Sequence, residues 1–254
     1  IARKLGVDRL KETSIKFGLG EKVLNKTFNN EKKGLIPDTK WKKDKLGKGW
    51  VIGETLITGI GQGYTQTTPL QLCQMTAQLA NGGFRIYPKI IVDKNDKTVE
   101  QIKSIMAENS KNLDKKGGGL KDDASKLLGF LDKKEHENLF INPNNIKLVR
   151  EAMFASTNEV RGTSYSSRIE DPKYQFAGKT GTSQVKRITK AARELDLKTS
   201  EIPYNERDHA LYIAFGPYRD PRYALNVVVE HGGSGSSTAA PIAKKLFKLI
   251  IDRH

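Results

Sequence analysis

Apolar positions along this chain come in short groups separated by lysine- and glycine-rich stretches, and their period shifts from helical to strand-like towards the C-terminus. Ile1, Ala2 and Leu5 share one helix face, closed by Gly6. The chain opens inside a helix and without an initiator Met, so it reads as a piece cut from a longer protein. A second short helix is expected over residues 8–19, with Asp8 as N-cap, Leu10, Ile15 and Phe17 apolar, and Gly18 and Gly20 ending it. Residues 21–50 are polar, lysine-rich and broken by Gly34, Pro37 and Gly47, which predicts an irregular surface connection. Thr68-Pro69-Leu70-Gln71 is a well-formed helix start. Thr68 is the N-cap, Pro69 stands where its missing N–H costs nothing, and Gln71 completes a capping box. The stripe that follows is Leu72, Met75 and Leu79, with Cys73 and Ala80 beside it, and Asn81-Gly82-Gly83 stops the helix. Residues 84–93 read as strand-like. Residues 94–140 are charged around Gly117-Gly118-Gly119 and read as the least ordered stretch. An amphipathic helix is expected over 142–157, through Ile146, Val149, Met153 and Phe154.

Three strand candidates follow, at 174–185, 210–217 and 223–230, the last carrying Val227-Val228-Val229. Asp220 and Pro221 mark a tight turn between the second and third. Beyond Gly232-Gly233-Ser234-Gly235, Ser236 or Ser237 is expected to cap a final helix carrying Ile242, Leu246, Leu249 and Ile250. Helices first, then strands that meet a terminal helix, argue an α+β or layered mixed fold.

Composition narrows function by exclusion. The 254 residues allow one large domain or two small ones, and no apolar run reaches the roughly 18 residues of a spanning helix. The single cysteine, Cys73, can form no intrachain disulfide. Lys and Arg number 44 against 29 Asp and Glu, a net charge of +15 that favours anionic partners. Aromatics make up 7% of residues and do not interleave with the lysine runs as base stacking requires, so nucleic acid is not expected as a partner. His136, His209, His231 and His254 are scattered without metal-ligand spacing, and no metal or other cofactor is expected. His209 and His231 flank strands and read as hydrogen-bonded structural residues. Gly59-Ile60-Gly61-Gln62-Gly63 lacks the dinucleotide-binding spacing and reads as a turn.

The sharpest chemical signal is Lys179-Thr180-Gly181, extended by Thr182-Ser183-Gln184-Val185 on a strand candidate. A strand edge can hold an extended peptide through main-chain hydrogen bonds. Lys179, Thr180 and Thr182 supply charge and donors for a carboxylate. Gly181 lets a substrate approach the backbone without meeting a Cβ.

Several motifs occur in one order: Gly61-Gln62-Gly63, Thr68-Pro69-Leu70-Gln71-Leu72, Asn81-Gly82-Gly83 and Gly162-Thr163, then Lys179-Thr180-Gly181-Thr182, Glu230 with Gly232-Gly233, and Ala239-Ala240-Pro241. Together they resemble the class B penicillin-binding proteins. Val7-Asp8-Arg9-Leu10, Phe17-Gly18-Leu19-Gly20 and Gly34-Leu35-Ile36-Pro37 before Trp41-Lys42 are similar to the elongation-type penicillin-binding protein 2 subgroup, as is the long stretch between Lys179 and Ala210. Residues 22–30 lack the acidic, glycine-bearing pattern common there, and residues 94–140 are longer than the subgroup leads one to expect.

The resemblance implies a layered α/β/α form of the α+β class, the penicillin-binding transpeptidase fold, with an antiparallel sheet between helices. It is expected to be incomplete here, residues 1–254 being the C-terminal part of one transpeptidase domain with a charged insertion at about 94–140. In the family's strand order, 223–230 lies mid-sheet beside strands from earlier sequence, so its outer edge should be unpaired. The implied activity is that of a serine-type D,D-transpeptidase that cross-links peptidoglycan stem peptides and is acylated by β-lactams. The implied setting is the periplasmic side of a bacterial inner membrane, with an anchor outside this chain and other cell-wall elongation proteins as partners.

The family signature is S-x-x-K, then S-x-N or S-x-D, then K-T-G. Ser183-Gln184-Val185-Lys186 fits the first as a string but follows K-T-G on the same strand, and Ser110-Lys111-Asn112 fits the second but sits in the insertion. Both are read as chance matches, so the nucleophile is expected upstream and this chain alone inactive. By position, Lys179, Thr180 and Gly181 carry over as the catalytic motif, with Lys179 in the charge network. Thr180 and Thr182 would bind the substrate's terminal carboxylate, and the Thr182 N–H would form half of an oxyanion hole. A reading of another class stays open: a non-catalytic module binding an anionic polymer or membrane surface through a basic face.

Overall fold

The computed structural model describes residues 1–24, 30–90, 137–139, 142–186 and 199–253. Strands β1 (Ala177–Ser183), β2 (His209–Gly216) and β3 (Tyr223–Val229) form an antiparallel sheet in the order β1-β2-β3. The three strand expectations are met, within a few residues at their ends. The register sets Thr180 opposite Tyr212 and Tyr212 opposite Val227. Residues directly opposite share a face of an antiparallel sheet. One face therefore carries Phe176, Ala210, Tyr212, Ala214 and Val227, and the other Ala177, Ile213, Phe215 and Ala224. Among the described residues β3 has no second strand neighbour, as an incomplete sheet requires.

The helices are α1 (Ala2–Leu5), α2 (Val7–Lys16), α3 (Thr39–Leu46), α4 (Ile52–Thr58), α5 (Pro69–Ala80), α6 (Pro143–Asn158) and α7 (Ala240–Arg253). Helix α7 covers the first sheet face with Ala240, Ala243, Phe247 and Ile251, and Phe247 stacks on Phe176 at 4.9 Å between ring centres. Helices α5 and α6 cover the second face through Leu79, Ile146 and Met153 against Ala177 and Phe215. The result is a helix–sheet–helix sandwich, the layered α+β arrangement expected.

Local signals at helix ends were accurate for α5. Gln71 N–H donates to Thr68 Oγ1 and Thr68 N–H to Gln71 Oε1, closing the capping box. Its buried face differs from expectation. Gln71, Gln74 and Gln78 are buried, whereas Leu72 and Met75 are only half-buried. These glutamines hold the surrounding loops. Gln71 Nε2 donates to the Glu21 and Lys33 carbonyls, Gln74 Nε2 to the Ile86 carbonyl, and Gln78 Nε2 to the Phe17 carbonyl. Each amide thereby satisfies loop main chain that a leucine would leave without a partner.

Other expectations need correction. Asp8 lies inside α2, not at its cap, and accepts instead from the N–H and hydroxyl of Thr39. The supposed irregular connection at 21–50 contains α3, capped by Asp38, which accepts from the Trp41 N–H. Lys42 of α3 is buried because Glu54 meets it, with Nζ 2.5 and 2.6 Å from the two carboxylate oxygens. Phe84 makes one bridge to Asn138, and no ladder runs through the described part of 84–93. Most of 94–140, including Ser110-Lys111-Asn112, lies outside the described residues. Helix α7 is entered through a π-helical turn, Gly235–Ala239, after Ser234, so neither Ser236 nor Ser237 is its cap. Its buried stripe is Ala240, Ala243, Phe247 and Ile251, leaving Ile242, Leu246 and Leu249 exposed. Alanines let the helix backbone sit close to the sheet, which the bulkier stripe would prevent.

Candidate active site

The K-T-G residues lie on β1, the outer strand opposite β3 in the sheet order. Gly178 N–H points away from β2 and donates to Thr157 Oγ1 at 3.1 Å. Main-chain groups alternate sides along a strand, so the N–H groups of Thr180 and Thr182 point to the same edge, which has no strand neighbour among the described residues. That edge can take an extended chain. Lys179 is exposed, Thr180 and Gly181 half-buried, and Thr182 exposed. Lys179 Nζ donates to the Thr180 carbonyl at 2.7 Å and to Thr180 Oγ1 at 3.3 Å. Thr180 Oγ1 lies 3.3 Å from Thr163 Oγ1, which lies 3.2 Å from Ser156 Oγ. Ammonium and hydroxyls thus line one edge, a donor set suited to a carboxylate.

Thr163 reaches this edge because Gly162 turns the chain at the end of α6. A Cβ on Gly162 would stand 2.3 Å from the Ser156 carbonyl oxygen. Beside Lys179 and Thr163 an apolar groove of 570 Å³ opens between α6 and the sheet, walled by Leu79, Val149, Met153 and Ile213. At the far end of β1, Ser183 is exposed and Lys186 pairs with Glu206 at 2.8 Å. These two residues stand at and beyond a strand end, not one turn apart on a helix.

Sequence reasoning missed what holds the strand. Thr157, Ser164 and Tyr212 are fully buried. Tyr212 OH bonds Thr157 Oγ1 at 2.9 Å and Ser164 Oγ at 3.0 Å, and Ser164 Oγ donates to the Ser156 carbonyl. Burial pushes the Tyr212 phenol above its ordinary pKa, outweighing its two hydroxyl partners, so it stays a donor. Gly178 is required because a Cβ there would lie 2.3 Å from Tyr212 OH. Gly235 serves the same strand from the other side of the chain, since its Cβ would meet the Gly181 oxygen at 2.7 Å. One signal was available: Thr157 continues the α6 stripe of Ile146 and Met153. His209 and His231 are structural as expected, with His231 N–H donating to His209 Nδ1 at 2.9 Å.

The family model of the penicillin-binding protein transpeptidase domain matches residues 1–248. The chain belongs to this family. Among its relatives, the peptidoglycan D,D-transpeptidase MrdA of Salmonella typhimurium is 33% identical over 99% of this chain and 36% of its own length. The crystal structure of Pseudomonas aeruginosa PBP2 in complex with WCK 5153 matches with a TM-score of 0.67 and 32% identity, over 97% of this chain and 43% of that one. PBP2 of Helicobacter pylori in its complex with MreC matches with a TM-score of 0.70 and 27% identity, over 99% and 37%. The resemblance to the PBP2 subgroup is thus borne out. This penicillin-binding protein chain spans about a third of the length of the curated relatives it matches.

Proposed function

We propose that this chain is the K-T-G half of a serine-type D,D-transpeptidase, a C-terminal part of one catalytic domain that includes the stretch at 94–140. The observation that carries the reading is the open β1 edge, on which Lys179, Thr180 and two outward N–H groups sit beside Thr163. A peptidoglycan stem peptide lies along this edge as an added strand. Thr180 and Thr182 hold its terminal carboxylate, and Lys179 supplies positive charge. The Thr182 N–H faces the oxygen that becomes negative when an upstream serine attacks the penultimate D-Ala carbonyl. Terminal D-Ala leaves, and the acyl group passes from the serine to an acceptor amine. A β-lactam enters as donor mimic and stays bound at the acyl stage.

Apolar residues exposed on α4, such as Ile52, Leu56 and Ile57, are surface for the rest of that domain to cover. None of the described helices is long and apolar enough to cross a membrane. We further propose that the full-length protein sits at the inner membrane with this domain on the periplasmic side, as the resemblance to the family implies. The complex of the Helicobacter relative with MreC supports other elongation proteins as partners.

The test is acylation of the full-length protein by a fluorescent penicillin. Thr180→Val leaves a bound anion short of a donor, which costs about 1.5–3 kcal/mol and slows second-order acylation roughly 10- to 150-fold. Ser183→Ala stays near wild type. Equal rates for Thr180→Val and wild type would remove the carboxylate assignment.

A further inference from the structure

A second cavity, of 490 Å³, lies between the 3-10 turn Tyr165–Ser167 and the start of α7, and shares no lining residue with the groove beside Lys179. Its volume is in the range of small-molecule sites, about 300–1,000 Å³. Three lysines line it, Lys244, Lys245 and Lys248, with no carboxylate and no arginine. Lys244 and Lys248 are one turn apart on α7, a spacing at which like charges repel. The acid one turn further, Asp252, hydrogen-bonds Tyr174 and Lys173 and offers Lys248 only its longer-range charge.

The opposite wall is made of hydroxyls. Ser166 and Ser167 come from the 3-10 turn, Ser236 and Ser237 from the π turn. Ser167 is 2% exposed. Among the described residues its hydroxyl has no protein partner, whereas Ser164, one turn earlier, bonds both Tyr212 and the Ser156 carbonyl. Ser167 lines the cavity and its hydroxyl is not shut off from solvent there, so it is a donor that a ligand oxygen can take up. Ammonium groups acting as point charges, beside several hydroxyl donors, suit a tetrahedral oxyanion better than a planar carboxylate, for which an arginine fork is the usual match.

We infer that this cavity binds a phosphate group, carried by a small phosphorylated molecule or by a phospholipid headgroup. The site is independent of the transpeptidase reading, because none of its residues belongs to the K-T-G edge. Two arms distinguish the sources in the full-length protein. The first is calorimetric titration with glycerol 3-phosphate. The second is co-sedimentation with phosphatidylcholine vesicles with or without phosphatidylglycerol, after the protein's own membrane anchor has been removed. Binding is expected in at least one arm, weakened tenfold or more by Lys244→Glu with Lys248→Glu. Ser167→Ala weakens it several-fold, and Ser237→Ala, at an exposed position, gives the same direction without touching the core. Lys43→Glu with Lys45→Glu removes the same charge from exposed α3 positions and leaves binding within twofold. Binding of the soluble probe alone assigns a small molecule, and binding that needs phosphatidylglycerol assigns a headgroup. No binding in either arm, or equal loss from both charge-reversal pairs, overturns the inference.

Discussion

Replacing Thr157 by valine keeps the side-chain shape and removes one oxygen from the centre of the hydroxyl cluster behind β1. That oxygen accepts from Gly178 N–H at 3.1 Å and bonds Tyr212 OH at 2.9 Å. After the change Tyr212 OH still has Ser164 Oγ at 3.0 Å, but the buried Gly178 N–H has lost its acceptor. A buried donor left unpaired costs about 1–3 kcal/mol. Tyr212→Phe removes the hydroxyl at the other end, and there every remaining group keeps a partner. Thr157 Oγ1 still accepts from Gly178 and can donate to the Met153 carbonyl, while Ser164 donates to the Ser156 carbonyl. Its cost should therefore be that of one ordinary hydrogen bond, about 0.5–1.5 kcal/mol. Urea unfolding at constant m-value should rank Thr157→Val below Tyr212→Phe by about 1 kcal/mol. In melting temperature the gap is roughly 2–4 °C for a chain of this size. If Tyr212→Phe proves equally or more costly, the tyrosine is the anchor and the role given to Thr157 is wrong.

Three further outcomes are expected. Lys42→Ala takes the ammonium away from the half-buried Glu54 carboxylate, which keeps the Val51 N–H, and should destabilise by about 1.5–3 kcal/mol in denaturant titration. Burial acts to raise the Glu54 pKa, but the hydrogen bonds from Lys42 and the Val51 N–H outweigh it and hold the carboxyl below its ordinary value. The unfolded chain therefore protonates first on acidification. The stabilisation is complete above the ordinary carboxylate pKa and is lost as pH falls through the depressed one, so wild type and Lys42→Ala should converge in acid. Gly178→Ala places a methyl 2.3 Å from Tyr212 OH and should cost at least the roughly 1–3 kcal/mol of an overpacked core, measured by calorimetric melting. The 254-residue chain on its own should give no covalent band with a fluorescent penicillin on a denaturing gel. A band that disappears in Ser183→Ala would mean that this serine is a nucleophile after all.

Local chemistry made part of this protein legible from its sequence. The α5 capping box, the span of α6 and the three strands each depend on residues within a few positions of one another, and so does the placement of Lys179-Thr180-Gly181 on a strand. What stayed hidden depends on partners far along the chain. Gln71 is a core residue only because carbonyls at Glu21 and Lys33 come to it, and Lys42 only because Glu54 does. Helix α7 carries two apolar stripes, and the choice of the alanine-rich one follows from how closely it approaches Tyr212 and Phe176. The Thr157–Ser164–Tyr212 cluster joins hydroxyls from a helix, a turn and a strand. Burial turns three ordinary side chains into the support of the candidate site, because a hydroxyl shielded from water must find its partner inside the protein. Sequence period determines which segments are helix or strand. Only tertiary packing decides which polar groups lose their water, and those groups set where the K-T-G edge stands.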